Sequence, residues 1–558
     1  MPRYIAQSNR NALPSILLFG LLFICYANSL QAPWYFDDLL RIVNNPAIQI
    51  KSLAPAELLQ SMYYSGGLAG VSGGLHRPVA MVSFALNWYF SGNDVAGYHA
   101  ANFLIHFLTA MMLYKTLLRL LAARHGSYRG DATQSQCIAL TATGLWAVPP
   151  IQTQAVTYIV QRSTSLAAFF FVAAIWFYAA ARQSEDRRWA AGAFAGCGVC
   201  YLLALGTKLN TVLLPASLLL IEILFFQDLS TPKRRRRILA LGAGLAALLV
   251  VGCIGFLWVW KGNPIDYFHR AYQGRPFSLP ERLLTQPRIL WFYLSQIALP
   301  LPGRFSLVHE VAVSTSLLHP WTTLPALAAT GAVLSIGVLC IRRHPFTALA
   351  ILFFFVNHLI ESTAIPLEMV FEHRNYLPSL FLFVPVAMAL QYGLKAIPSQ
   401  RRLLRGSMMA GVIVLIAALG WATHSRNSVW NDKKRFWEGA LVKAPHTARP
   451  YLQLAAYHEA HGNWPLALKL YHHSLKLYDP APKRARALAH TNMGTILNKM
   501  RQTEPASDHF RQALAIYPEH EIARYNLIFT LLSRGDYQNA MAHAEILLAY
   551  NPRHPYYL

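Results

Sequence analysis

Asp37 and Asp38 stand side by side in the stretch Tyr35-Phe36-Asp37-Asp38-Leu39-Leu40-Arg41-Ile42-Val43-Asn44-Asn45-Pro46, a few residues beyond an apolar run at 12–30 that carries no charged side chain. About 20 apolar residues cross a hydrocarbon core, so the pair is expected at the water–lipid boundary. A carboxylate there could take the proton of an incoming hydroxyl, although a carboxylate pair past a helix end also occurs as plain loop solvation. Further polar groups fall at the ends of other apolar runs: His76-Arg77, Tyr98-His99, Gln161-Arg162, Thr207-Lys208 and Glu372-His373-Arg374. Ionisable residues at a hydrocarbon edge are costly and mark function, while any one Arg or Lys alone could simply snorkel to headgroups. Taken together they suit transfer from a lipid-linked phosphate, where cations hold the phosphate and stabilise the charge on the departing group. A phosphate leaves without a general acid, so the two separated carboxyl groups of a glycoside hydrolase are not needed. A divalent metal at the acidic pair is the alternative. It is not favoured, because Asp37-Asp38 lacks the intervening residue that would let two carboxylates face one ion, and no cofactor is expected.

The elements that must position these groups are membrane helices. Of 558 residues, 54% are hydrophobic and only 13% charged, against about 25% charged in soluble domains. The formal net charge of +24 falls in short basic clusters between apolar runs, which fits cytoplasmic loops and not nucleic-acid binding. The six cysteines all lie in apolar stretches, so no disulfide framework is expected, and Cys197-Gly198-Val199-Cys200 is small-residue helix packing and not a redox motif. Apolar runs at 12–30, 98–115, 137–149, 163–181, 189–206, 209–226, 238–260, 322–341, 346–361, 377–394 and 406–423 predict about eleven crossings. Basic clusters occupy every second loop, which places the N-terminus in the cytoplasm as an uncleaved anchor and the C-terminus outside. The outer loops 31–97 and 261–321 are large, and 76–92 and 286–301 are expected to lie in the interface.

Beyond a linker at 426–447, residues 448–558 change to a soluble helical pattern. Gly494, Ala506, Phe510, Ala513 and Pro518 have tetratricopeptide spacing; Gly535, Ala540 and Pro552 recur 34 residues after Arg501, Ala506 and Pro518; Leu454, Gly462, Ala467, Tyr471 and Pro480 form a looser copy with an insertion around Asp479 to Lys483. About three repeats are near the minimum for a self-supporting α-solenoid. Such a stack docks peptides, and nothing in it is catalytic. The predicted fold is therefore all-α: a polytopic membrane bundle over 1–425 and a repeat solenoid outside the cytoplasm.

The string Phe36-Asp37-Asp38 with Val43-Asn44-Asn45-Pro46, then His76-Arg77-Pro78, Gly97-Tyr98-His99, Arg162, Leu205-Gly206-Thr207-Lys208, Glu372-His373-Arg374-Asn375-Tyr376-Leu377-Pro378-Ser379 and the terminal repeats together resemble the transmembrane and tetratricopeptide-repeat-containing O-mannosyltransferase family and its bacterial relatives. The resemblance covers nearly the whole chain and extends distantly to the protein O-mannosyltransferases of the GT-C fold. It implies a polyprenyl-phosphate-linked sugar donor, a protein hydroxyl acceptor and an outward-facing site, with inversion expected at the sugar carbon. Carried onto this sequence, Asp37 is the expected base, with Asp38 orienting it or sharing the role. Arg374, with Lys208, Arg77 and Arg162, is expected to hold the donor phosphate, and His76, His99, Glu372 and His373 to orient groups or substrate. Relatives often carry an acidic residue after the lysine, where this chain has Leu209, which leaves the partner of Lys208 open. The expected protein is a bacterial inner-membrane glycosyltransferase acting on Ser or Thr of an exported protein such as a pilin. The alternatives are the same chemistry on a lipid or polysaccharide, or a membrane-anchored repeat scaffold without catalysis. A transporter would call for two related halves, and none is visible.

Overall fold

In hydrocarbon every backbone polar group must find its partner within the protein, and apolar runs of about 20 residues do so as helices. The computed structural model describes residues 12–63, 77–123, 130–228, 263–273, 275–398, 400–477 and 483–550, with scattered positions between 231 and 258. In chain order the helices of seven residues or more among the described residues are α1 (Ala12–Tyr26), α2 (Pro55–Ser61), α3 (Pro78–Ser91), α4 (Val95–Leu121), α5 (Ala132–Ala147), α6 (Arg162–Gln183), α7 (Arg187–Thr207), α8 (Leu214–Ile221), α9 (Pro264–Gln273), α10 (Leu279–Ala298), α11 (Thr323–Cys340), α12 (Pro345–His358), α13 (Val384–Ala396) and α14 (Arg402–Trp430), followed by those of the C-terminal part. Side chains cap many of their first turns: Asp94, Asp131 and Asp186 accept backbone N–H groups at the starts of α4, α5 and α7, and Ser278 with Glu281 forms a capping box on α10.

Among the described residues six segments are long and apolar enough to cross a bilayer: Val95–Leu121, Ile159–Gln183, Arg187–Thr207, Leu209–Phe226, Thr323–Cys340 and Arg402–Trp430. The runs at 12–30 and 346–361 form shorter apolar helices, Leu13–Ser29 and Pro345–His358. Those at 137–149 and 377–394 fall on α5 and α13, and much of 238–260 lies outside the described residues. Crossings beyond the six therefore rest on the sequence. Neither α3 nor α10, which carry the two stretches expected in the interface, is among the six.

Two cores result. In the membrane part, Tyr114, Trp146, Phe171, Phe353, Tyr376 and Phe381 pack together with no more than 1% exposure. The second core joins the first outer loop to the segment after the last long helix: Tyr35, Phe84, Tyr98 and Tyr158 pack with Trp430, Phe436 and Trp437. The stretch expected as a linker is accordingly not loose chain. It contains the end of α14 and a further helix, α15 (Lys433–Lys443), capped by Asp432, because Phe436 and Trp437 bury themselves against that loop.

The chain then forms three helix pairs: α16 (Ala448–Ala460) with α17 (Trp464–Lys476), α18 (Lys483–Lys499) with α19 (Thr503–Ile516), and α20 (Glu521–Ser533) with α21 (Tyr537–Tyr550). The turn of the first and third pairs uses a left-handed glycine, Gly462 at φ +75° and Gly535 at φ +76°, and the second places Arg501 there at φ +63°. Within the second pair a Cβ on Gly494 would lie 2.6 Å from Cε1 of Phe510. Gly494→Ala should therefore push α18 and α19 apart at a cost of about 1–3 kcal/mol, seen as a lowered unfolding temperature of the full-length protein in detergent; an unchanged temperature would contradict this packing.

Candidate active site

The loop after α1 is fixed by its aromatic residue. Tyr35 donates its hydroxyl to the Trp430 carbonyl at 2.5 Å, and its ring packs 4.5 Å from Phe436 and 5.2 Å from Trp430. Phe36 then adopts φ +36°, a left-handed conformation that costs about 1–2 kcal/mol in a residue with a Cβ. Beyond this bend the two aspartates take different environments. Asp38 is 1% exposed, and its carboxylate accepts the Tyr35 N–H at 3.0 Å on one oxygen and the Val160 N–H at 2.8 Å on the other. It pins the loop to the segment entering α6. Asp37 is half-buried; its N–H donates to the Tyr158 hydroxyl at 3.0 Å, and its carboxylate accepts no hydrogen bond from the described residues.

Burial pushes the Asp38 carboxyl up to about 8 against the two N–H groups that favour the anion. Folding thus takes up a proton between 3.8 and about 8. The stability this contributes is full below the unfolded value and is lost as pH rises through the folded one. Asp38→Asn should be less stable by about 1–3 kcal/mol, since one N–H loses its acceptor. It should also show a flatter decline of unfolding temperature across that window, and a curve parallel to wild type would contradict the assignment.

The cations come from distant segments. Lys208, at the end of α7, lies 2.7 Å from a carboxylate oxygen of Glu361, both side chains being buried, and it donates to the Thr164 hydroxyl at 3.2 Å. Asn210 donates to the other Glu361 oxygen at 3.4 Å. Glu361 follows α12, and Arg282 of α10 holds this turn by donating to the carbonyls of Glu361, Thr363 and Leu367 at 2.8, 2.7 and 2.5 Å. Arg374, 3% exposed, sits on a 3₁₀ turn (Glu372–Asn375); it donates to the Met369 carbonyl at 3.0 Å and lies over the Phe371 ring at 5.3 Å. Arg77 starts α3 at φ +47° and donates to the Ser163 hydroxyl at 3.2 Å.

These charges act on one another. Burial lowers Lys208, Arg77 and Arg374 lower it further, and Glu361 opposes them. Burial alone would raise Glu361, and Lys208 with Arg374 more than offsets it, so the carboxyl ends below its usual range. Arg77 is lowered to about 10 by burial and by Arg41, and it is supported by both Glu361 and Asp37. Arg77 thus feels the charges of both Asp37 and Glu361. Burial first, then Lys208, Arg374 and Arg77, holds His373 well below its usual value and neutral. The Gln154 oxygen accepts the His373 backbone N–H at 2.7 Å and lies 2.9 Å from Nδ1. An oxygen that accepts the backbone N–H makes Nδ1 the protonated nitrogen.

Other residues grouped with these by sequence are committed elsewhere. Arg162 is 1% exposed. It donates to Asn102 and Asn87 at 2.6 Å each and to the carbonyls of Ser83 and Tyr98 at 3.0 and 3.1 Å, with Phe84 at 4.6 Å beneath it. So placed, it braces α3, α4 and α6 and offers no open face to a phosphate. His99 meets the Ala32 carbonyl at 2.8 Å through Nε2, and one oxygen of Glu372 accepts from the Ser306 N–H and His309 Nε2, both at 2.7 Å. Each ties an outer segment to the bundle, as buried polar groups must. His76 lies outside the described residues. Glu361, Gln154, Tyr158 and Arg282 were not singled out from sequence. The signal for Glu361 is that it is the one acidic residue in the apolar run 346–361. A separate cleft of ≈ 620 Å³, lined by Trp291, Phe292, Arg304, His309 and Lys443 among others, is bordered by the His309 that pairs with Glu372 and includes neither Asp37 nor Lys208.

Comparison with known proteins agrees with this architecture. Residues 446–519 match the Tetratricopeptide repeat family model. The chain is 24% identical over 522 residues, 86% of its length, to protein O-mannosyl-transferase TMTC1 of Homo sapiens. It is 23% identical over 586 residues, 91% of its length, to protein O-mannosyl-transferase Tmtc3 of Drosophila melanogaster, and 23% identical over 519 residues, 92% of its length, to protein O-mannosyl-transferase F38B6.6 of Caenorhabditis elegans. The chain spans 56%, 59% and 64% of those three relatives. It is a membrane protein and a distant relative of this family.

Proposed function

We propose that this distant relative of the protein O-mannosyltransferases is itself a membrane glycosyltransferase, moving a sugar from a polyprenyl-phosphate-linked donor to a Ser or Thr hydroxyl of an exported protein. The observation that carries this is a group of cations from three segments, the buried Lys208 and Arg374 and the half-buried Arg77, of which Arg77 and Lys208 hold the adjacent hydroxyls of Ser163 and Thr164, together with Asp37, the one carboxylate of the base loop that accepts no hydrogen bond from the described residues. In the step proposed, Asp37 takes the acceptor hydroxyl proton as its oxygen bonds to the anomeric carbon. The bond from that carbon to the phosphate oxygen breaks, and its electron pair leaves on the phosphate. The cations hold that phosphate and stabilise the charge it gains. A single displacement inverts the carbon. Asp38 holds the loop, and neutral His373 adds no charge against the anion.

The active side and the repeats are proposed to face the periplasm of a bacterial inner membrane, with the repeats presenting the acceptor. The test is the intact mass of exported proteins from cells with and without the gene. Loss of a sugar increment from one or more proteins is expected, with lipopolysaccharide unchanged. Unchanged protein masses with altered lipopolysaccharide would shift the acceptor to a lipid or polysaccharide.

A further inference from the structure

The first helix of the repeat module does more than extend the chain beyond the membrane domain. Arg449, in the opening turn of α16, places its guanidinium over the Phe36 ring at 5.0 Å. The same side chain is ion-paired at 3.0 Å with Glu368, whose oxygen is shared by Arg275 at 3.1 Å. Phe36 is the left-handed residue immediately before Asp37, and Glu368 lies on the segment between Glu361 and Arg374. The charge of Arg449 also reaches Tyr158, the hydroxyl that accepts the Asp37 N–H. One residue of the repeat module thus touches both walls of the proposed site. The aromatic contacts of Tyr35 with Trp430 and Phe436 brace the same loop from the other side.

We infer that Arg449 is a positioning residue, which holds Phe36 in its strained conformation and so sets the Asp37 carboxylate against the cation group. The repeat module is then a working part of the transferase and not a detachable adaptor. This rests on the transfer reaction proposed above. A flat guanidinium can stack on a ring and pair with a carboxylate at once, which a lysine ammonium does less well, and misplacement of a reacting group by about 1 Å costs up to about 10²-fold in rate.

The experiment compares full-length wild type, Arg449→Ala, Arg449→Lys and Asp37→Asn in detergent, measuring kcat, donor KM and hydrogen exchange of amides 36–39. Arg449→Ala should lower kcat about tenfold or more with donor KM within about twofold of wild type, and amides 36–39 should exchange faster while those of α18 to α21 do not. Arg449→Lys should recover part of kcat. A kcat within about twofold of wild type in Arg449→Ala, or faster exchange throughout the repeats, would overturn the inference. Activity persisting in Asp37→Asn would sink the transfer reaction instead, and the exchange pattern would still judge Arg449.

Discussion

Asp37→Asn is expected to abolish sugar transfer, lowering kcat by about 10³-fold, within the range that loss of a positioned general base produces, while leaving the folded protein and its affinity for donor intact. The separation is specific because Asp37 and Asp38 do different things with their oxygens. An amide at position 37 breaks no side-chain hydrogen bond with the described residues, and the bond to Tyr158 is kept because it is made by the backbone N–H. An amide at 38 removes an acceptor from the Tyr35 or Val160 N–H and loosens the loop. Asp38→Asn should therefore lose activity in step with stability, and Asp37→Asn without any loss of stability. A catalytically competent Asp37→Asn protein, measured with purified enzyme and synthetic lipid-linked donor, would remove the base.

Lys208→Ala should be the most destabilising single change in the site. It leaves Glu361 buried with Asn210 as its remaining side-chain donor among the described residues, and breaking a buried pair from one side costs about 3–5 kcal/mol. The companion Glu361→Gln restores neutrality, so the double variant Lys208→Met with Glu361→Gln should regain most of the unfolding temperature lost by Lys208→Ala. It should not regain transfer, since a cation for the departing phosphate is gone. Recovery of both would make the pair structural only. Recovery of neither would mean that Glu361 does not depend on Lys208 for its charge.

The helices were legible because runs of about 20 apolar residues admit no other backbone solution in a bilayer, and the repeats because Gly462, Ala467 and their counterparts recur at fixed spacing. The 426–447 segment was harder. Sequence marks it only as a linker between the membrane part and the repeats, and the burial of Phe436 and Trp437 against Tyr35 makes it part of the fold. At the site, sequence picked out charges at the ends of apolar runs but not what each does. Arg162 and Arg374 look alike in that respect. The acceptors that occupy Arg162, Asn102 and Asn87, lie 60 and 75 residues away, and a tertiary partner leaves no local mark. The partner of Lys208 was sought next to it, at Leu209, whereas the fold supplies Glu361 from another helix end.

The central claim is that Lys208, Arg374 and Arg77 hold a lipid-linked phosphate beside Asp37. Photo-crosslinking of the full-length protein with a polyprenyl phosphate carrying its reactive group next to the phosphate, and then mass spectrometry of the adducts, tests it most directly. Adducts in the segments around Arg77, Thr164, Lys208 and Arg374, reduced by Arg374→Ala and competed by unlabelled polyprenyl phosphate, are the expected result. Adducts confined to the cleft lined by Trp291 and Arg304, or spread over the lipid-facing helices without competition, would contradict it.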